Sequence, residues 1–179
     1  WSDLGRLLWS TGQTESAIEA LQRAVELDSS DPKTLDILTG AYIDAGEMTL
    51  AAVTARSVAM IFSDSAAAWR RLAELEAQNG AWSAALNAQQ KARSLDPSLA
   101  IPSLFEARLL AETGATSASI EMYTQLLSLQ PANEAAAMEL SELQAATGDL
   151  DGAMATMDQA LTAHPESDGI LAMMASIHL

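Results

Sequence analysis

Five glycines recur along the chain at a constant spacing of 34 residues, and this period limits the fold more than any other feature. They are Gly12, Gly46, Gly80, Gly114 and Gly148. Each lies in a short turn between two segments whose apolar residues recur at helical spacing. Glycine suits such a turn because a helix often ends on a left-handed residue, which costs glycine no Cβ clash. A fixed period of this length predicts an all-α architecture of stacked repeats.

Positions counted from each glycine carry the same kind of side chain in successive repeats. The residue seven positions before it is always small: Gly5, Thr39, Ala73, Ala107 and Ser141. The residue five positions after it is small as well: Ala17, Ala51, Ala85, Ser119 and Ala153. Large apolar residues alternate with these, which predicts antiparallel helix pairs packed ridge into groove. Asp31 before Pro32, and Asn133, are expected to cap the starts of helices.

Composition narrows the class of protein. Apolar residues make up 49% and aromatic residues only 4% of the 179 residues, which favours close helix packing. The formal charge of −15 argues against binding nucleic acid or anionic membranes, since both require a positive surface. We find no apolar run long enough for a spanning helix and therefore expect no membrane insertion. We expect a soluble protein, and the sequence leaves the compartment open between cytoplasm and periplasm.

Two sets of residues resemble the signature of the tetratricopeptide repeat (TPR) family. One is Trp-x-x-Leu-Gly-x-x-Leu at 1–8, followed by Gly12, Ala17 and Ala24. The other is Trp69, Leu72, Ala73, Gly80, Ala85, Ala92 and Pro97. The resemblance implies a right-handed α-solenoid of antiparallel helix pairs, whose concave face is built mainly from the first helix of each pair. We predict a single array over 1–179, with repeats at 1–31, 32–65, 66–99, 100–133 and 134–167 and a partial sixth repeat at 168–179.

The candidate binding surface is the concave face that this geometry implies. Its expected positions include four of the nine basic residues of the chain, and arginine there could donate paired hydrogen bonds to a carboxylate. The candidate residues are Arg6, Trp9, Lys33, Arg70, Leu104, Arg108 and Met138. Gly40 is among the other positions expected to line this face. An equally weighted alternative is that the arginines pair with neighbouring acids such as Asp36 and Glu74, which would give ordinary surface charge.

Some TPR domains clamp a C-terminal carboxylate of a chaperone with basic and asparagine side chains at set positions. In this chain the corresponding positions hold Ser2, Arg6, Ile37, Ala67 and Arg71, and only Arg71 matches. The resemblance therefore gives little support to chaperone-tail binding. Arg71 is retained as a candidate partner-binding residue.

Catalytic and metal-binding patterns are not visible in the sequence. The two histidines, His164 and His178, stand alone, and the chain has no cysteine. The glycines recur as turns and never cluster as a phosphate-binding loop would. Asp149 and Asp151 are explained by their place at a helix start. We therefore expect no catalytic site, no cofactor and no metal.

Polar residues in the middle of the array break the apolar pattern. Glu76, Gln89, Glu106 and Gln144 occupy positions that are usually apolar in the repeats. One interpretation is a slight helix rotation that lets Glu106 reach solvent or pair with Arg93, Tyr123 or Ser119. The other is a weak joint where the array can bend.

Three functions fit these features. The first is a non-catalytic interaction module that binds a protein or peptide segment in its concave groove. The second is a scaffold that forms homo-oligomers through its terminal repeats, where Met173, Met174 and Ile177 give the last helix an apolar surface. The third is a substrate-recruiting arm of a larger enzyme.

Overall fold

The structure is a computed structural model that describes residues 1–177. Within that range the chain is all α, with eleven α-helices, one short 3₁₀ helix at Pro97–Ala100, and no strand. The helices are α1 (Ser2–Ser10), α2 (Thr14–Leu27), α3 (Pro32–Asp44), α4 (Met48–Ile61), α5 (Ala66–Gln78), α6 (Trp82–Leu95), α7 (Leu104–Glu112), α8 (Thr116–Leu129), α9 (Glu134–Ala146), α10 (Leu150–Ala163) and α11 (Asp168–Ile177).

The five periodic glycines all adopt the left-handed conformation that the sequence predicts. Their φ angles lie between +74° and +86°. The amide of the following residue then donates back into the helix that has just ended, as from Gln13 to the Leu8 carbonyl at 2.9 Å. The same bond runs from Glu47 to Tyr42 at 2.8 Å. Each glycine thus ends a first helix and turns the chain into the second helix of a pair.

In the helix pairs that follow α1–α2, a side chain caps the start of the first helix. The Asp31 carboxylate accepts from the amides of Lys33 and Thr34, and Pro32 occupies the first turn. Hydrogen bonding from the Thr34 hydroxyl is the main reason that the pKa of Asp31 is lowered. Asn133 accepts from the Ala136 amide at 3.1 Å. Both predicted caps are therefore confirmed.

The described chain divides into two compact units, Trp1–Ala100 and Ile101–Leu179. In the first unit each helix packs on the next one along the chain, from α1 to α6. The predicted small positions are buried where paired helices meet, and Ala17, Ala51, Ala73 and Ala85 have no exposed surface. A Cβ placed on Gly5 would lie 2.5 Å from Cγ of Leu21, so α1 and α2 pack too closely for any side chain there.

The second unit has two apolar clusters. Tyr123, Leu126 and Leu140 belong to the first, between α8 and α9. The second joins α9 and α10 to α11 through Met157 and the fully buried Ile170. Met174 is partly buried there, whereas Leu171 and Ala175 are exposed. Within the described residues α11 packs mainly on α9 and α10, which leaves Leu171 and Ala175 exposed on its other side. His178 lies outside the described residues.

The polar residues of the middle repeats are buried. Glu76 retains only 2% of its exposure and bonds to Arg56 of α4. Gln89 and Glu106 are buried to a similar degree, which excludes solvent exposure as the explanation for Glu106, and Glu106 has an interaction partner within the fold. Tyr123 and Ser119 use their hydroxyls elsewhere, on Glu139 and on the Ala107 carbonyl.

Two negative findings apply to residues 1–177. No helix in that range combines the length and apolar character needed to cross a bilayer. No group of three or more potential metal ligands lies together there either.

Candidate interaction site

A cleft of about 400 Å³ opens within the first unit, where the starts of α3 and α5 meet the end of α4. We call it the α3–α5 cleft. Its residues are Pro32, Lys33 and Asp36 of α3, Val58 and Phe62 at the end of α4, and Ala67, Ala68 and Arg71 of α5. Most of the surface is apolar, and the charged groups come from three side chains only. Such a cleft can bury an apolar side chain beside a polar group of a ligand.

Two helices that are neighbours in the stack supply the charges of the cleft. Nη1 of Arg71 bonds to Oδ1 of Asp36, which lies 35 residues earlier, and both side chains remain about half exposed. Lys33 is exposed and forms no ion pair within 4 Å among residues 1–177, although its charge helps to lower the pKa of the neighbouring Asp31. Its ammonium is therefore available to a ligand, while the Arg71 guanidinium is already engaged by an acid of its own unit.

Phe62 forms the apolar wall of the cleft and is 43% exposed. It follows directly after α4, sixteen residues after Gly46. The same position after the other four periodic glycines holds Asp28, Asp96, Gln130 and His164, all polar. Because the fold forms with polar residues there, the phenylalanine is not a requirement of the repeat. The sequence prediction missed Phe62, although a comparison of this position between repeats would have identified it.

Trp9 and Gly40, both expected to line the groove, pack against each other. Nε1 of Trp9 donates to Oδ2 of Asp44 at 2.7 Å. A Cβ on Gly40 would lie 2.5 Å from the Trp9 ring. Gly40 is buried beneath that ring and offers nothing to a ligand. Trp9 thus joins α1 to α3, and only part of its side chain remains exposed.

The other predicted basic residues of the first unit have acidic partners. Arg6 bonds to Asp3 at 2.9 Å, one turn away on α1. Arg70 lies 3.7 Å from Glu74 on α5. Both pairs are more than half exposed, where an ion pair contributes little stability and water can replace it. Of the candidates in this unit, the structure brings Lys33 and Arg71 together.

The candidates of the second unit lie at different places. Leu104 packs against the cluster of Tyr123 and Leu126. Met138 packs against the cluster that holds Ile170. Both are partly buried, so each has a structural role in addition to any contact with a partner.

Arg108, the third candidate there, is one of two donors in a compact polar network. Nε of Arg108 lies 2.8 Å from Oε2 of Glu139, and Nη2 bonds to the other oxygen. The Tyr123 hydroxyl donates to the same carboxylate at 2.7 Å. Burial raises the pKa of Glu139, but the bonds from Arg108 and Tyr123 outweigh it and hold that pKa below its usual value. Burial and the Glu139 carboxylate raise the pKa of Tyr123.

Comparison with known proteins identifies the repeat. Tetratricopeptide repeat family models match residues 1–31 and 109–177. No curated protein matches the sequence.

Many solved structures share the fold. A crystal structure of MamA is 22% identical and has a TM-score of 0.72, covering 92% of this chain and 90% of its own. YrrB, described as a TPR protein with an unusual peptide-binding site, is 18% identical with a TM-score of 0.72, covering 95% of this chain and 88% of its own. PilF from Pseudomonas aeruginosa is 18% identical with a TM-score of 0.61, covering 98% and 80%.

These findings agree with the helix pairs, the left-handed glycines and the small buried positions. The family models together cover more than half of the chain, and the similar structures support an all-α solenoid. The fold is that of a protein–protein interaction module, in a family that generally works as scaffolds. The chain is a tetratricopeptide repeat protein.

Proposed function

We propose that the chain is a non-catalytic interaction module that binds a peptide segment at the α3–α5 cleft. One observation carries the proposal: the exposed Phe62 and Lys33 line the same cleft, and the other repeats have polar residues at the Phe62 position. An apolar side chain of the ligand would pack on Phe62 and Val58, and an acidic group beside it would bind Lys33. YrrB, described as having a peptide-binding site, offers a parallel in a protein of the same fold.

Arg6, Arg70 and Arg71 are paired with acids, so the predicted groove attracts an acidic ligand less strongly than the number of its basic residues suggested. A ligand carboxylate that bound Arg71 would have to displace Asp36, which lies in contact with it. Lys33 carries no such cost. We therefore expect Lys33 to contribute more to binding than Arg6 or Arg70. We also propose that the pairs from α1–α2 to α9–α10 are five successive repeats, with α11 the first helix of a sixth.

Selection from a random peptide library on the full chain tests this function. Calorimetry compares the affinity of the enriched peptides for the wild type and for Phe62→Asp. The substitution introduces the aspartate that two other repeats have at this position, Asp28 and Asp96. We expect the enriched peptides to share an apolar residue next to an acid, and their affinity to fall at least tenfold with Phe62→Asp. Lys33→Glu should weaken binding as well, whereas Lys91→Glu is the matched charge control and should not.

Peptides that bind Phe62→Asp as tightly as the wild type would show that the cleft is not the site. Far-UV circular dichroism of each variant confirms that it is folded, so that lost binding reports the cleft alone.

A second function, self-association, is favoured by the apolar side chains on α1 and at the residue that precedes it. Trp1, Leu4 and Leu7 are 62%, 44% and 61% exposed. Light scattering over a range of concentrations tests this alternative. A dimer that Leu7→Glu abolishes would support it, whereas a chain that stays monomeric would exclude it. Met174, the residue first expected to mediate assembly, packs against the core of its own unit.

A further inference from the structure

The side of α4 that faces away from its partner helices carries several large apolar residues. Leu50, Val53, Met60 and Ile61 are exposed by 41%, 51%, 67% and 42%. Together with Ser57 we call them the α4 face. The opposite side of α4 packs within the fold, where Ala51, Ala55 and Ala59 are buried.

The equivalent helices of the chain show that the fold does not need this face to be apolar. At the position of Val53, α2, α6, α8 and α10 have Glu19, Asn87, Glu121 and Ala155. At the position of Met60 they have Glu26, Ser94, Ser128 and Thr162. Large exposed apolar side chains lower solubility and often mark an interaction surface. At the positions of Val53 and Met60, a large exposed apolar side chain occurs on α4 alone among the five equivalent helices. The position of Ile61 is also apolar in α2, α6 and α8, which have Leu27, Leu95 and Leu129 there. Val53 and Met60 therefore indicate that α4 has a role beyond the repeat.

The spacing on the α4 face is that of a helix-packing seam. Leu50, Val53, Ser57 and Met60 follow one another at intervals of three, four and three residues. This is the a/d spacing on which a second helix packs. Ser57 is small and uncharged in the middle of the seam, where the equivalent helices have Arg23, Lys91, Gln125 and Gln159. A second helix can therefore approach α4 closely along its length, which is about 21 Å for 14 residues.

Charge at the two ends of α4 indicates the kind of helix that fits. Glu47 precedes α4 and Asp64 follows it closely, and both are exposed. The one charged residue within α4 is Arg56, whose guanidinium bonds to Glu76. The face itself is therefore uncharged, with an acid at each end, on a chain whose net charge is −15. A second copy would bring like charges together, whereas a helix with basic residues at both ends would be attracted.

We propose that the α4 face docks an amphipathic helix of a partner protein, whose apolar stripe is bracketed by lysine or arginine at both ends. The stripe packs on Leu50, Val53 and Met60, and the basic residues meet Glu47 and Asp64. This site is separate from the α3–α5 cleft, since Phe62 is not part of the α4 face.

Fluorescence anisotropy with two labelled helical peptides of 18 residues tests the proposal on the full chain. Both peptides carry leucines at a and d positions; one has lysines near both ends and the other has glutamates at the same places. The variant is Val53→Glu with Met60→Glu, which installs the residues that α2 has at these positions. The matched control is Asn87→Glu with Ser94→Glu, which makes the same charge change at the equivalent positions of α6.

We expect the lysine peptide to bind the wild type at least tenfold more tightly than the glutamate peptide. Its binding should fall at least tenfold with the α4 variant and stay unchanged or rise with the α6 control. Both variants gain two negative charges, so a loss confined to α4 measures the apolar contact. Phe62→Asp should not weaken this binding, which separates it from the proposed cleft function.

Three results would overturn the proposal. They are no binding of the lysine peptide, equal effects of the α4 and α6 variants, and a dimer that the α4 variant abolishes, which would identify a second copy as the occupant. If circular dichroism shows that the glutamate variant is unfolded, Val53→Asn with Met60→Ser, the residues of α6, replaces it and gives the same decision.

Discussion

At the scale of single residues, backbone conformation and buried charge decide which positions tolerate change. The turn glycines are constrained by φ alone, because a Cβ at Gly46 would meet no atom within 4 Å. Glu76 is constrained by its surroundings instead, since its carboxylate is buried and depends on one partner. Glu139 has two donors and is partly exposed, so its contribution depends on pH.

Gly46→Ala should destabilise the chain by about 1–2 kcal/mol, because an alanine pays the left-handed strain that glycine avoids. Gly46→Asn should cost less, since asparagine adopts this conformation more readily. Urea unfolding followed by circular dichroism measures both. A greater loss for asparagine than for alanine would mean that lack of space, and not backbone strain, sets the cost.

Arg56→Met should destabilise the fold by about 1–3 kcal/mol, because it leaves the buried Glu76 carboxylate without its partner. Adding Glu76→Leu should restore much of that loss, since an apolar side chain suits the buried position. A double-mutant cycle from urea unfolding gives the coupling between the two residues. If the losses simply add, the ion pair contributes no stability of its own.

Glu139 should make the stability of the chain depend on pH in the acid range. Its pKa is lower in the folded state than the usual 4.5, so the folded state binds a proton less readily. The stability it contributes is present above about pH 4.5 and is lost as the pH falls through the folded pKa. Glu139→Gln should therefore flatten the loss of stability between pH 5 and about pH 3. If Glu139→Gln loses stability at acid pH as steeply as the wild type, the hydrogen bonds from Arg108 and Tyr123 do not stabilise the carboxylate.

At the scale of helices, the contact between α1 and α3 depends on one close approach. The Trp9 ring of α1 covers Gly40, and its Nε1 donates a hydrogen bond to Asp44. Both residues that hold the ring, Gly40 and Asp44, lie on α3. The packing of α1 on α2 depends on Gly5 in the same way. The position of α1 therefore depends on two glycines, whose lack of a side chain allows α2 and the Trp9 ring to pack closely.

Gly40→Ala should displace the Trp9 ring, because the new Cβ would overlap it at 2.5 Å. The bond to Asp44 would then lengthen or break, and the indole would become more exposed. We expect a red shift in the tryptophan emission at urea concentrations where the wild type is still folded, together with a lower free energy of unfolding. Asp44→Asn, which keeps the shape but removes the charge, is the control for the bond alone. An unchanged spectrum in Gly40→Ala would show that α1 simply moves with its tryptophan intact.

At the scale of the whole molecule, cohesion comes from contacts between helices that are near in sequence. Within Trp1–Ala100 each helix packs on the next, and the same holds from α7 to α11 in Ile101–Leu179. Arrays of this kind derive their stability from individual repeats and from nearest-neighbour contacts. A unit that contains complete helix pairs should therefore fold by itself.

Residues 1–100 expressed alone should show a helical circular dichroism spectrum and a cooperative urea transition. A shorter fragment, 1–81, lacks α6 and leaves the buried Leu72 and Ala73 of α5 without their partner helix. It should be distinctly less stable than 1–100 when both are unfolded in urea. If the two fragments unfold at the same urea concentration, α6 does not stabilise this unit.

The sequence alone determined the helix pairs, the turn glycines, the caps at Asp31 and Asn133, and the family. These follow from short-range geometry repeated every 34 residues, so the period reports them directly. Only the tertiary structure decided where long side chains end. It paired Arg71 with Asp36 across 35 residues, placed Trp9 on Gly40 and buried Glu76 against Arg56. A long side chain can reach several neighbours, and its partner depends on how adjacent helices are rotated and spaced. That is a property of the packed stack, which no local spacing encodes.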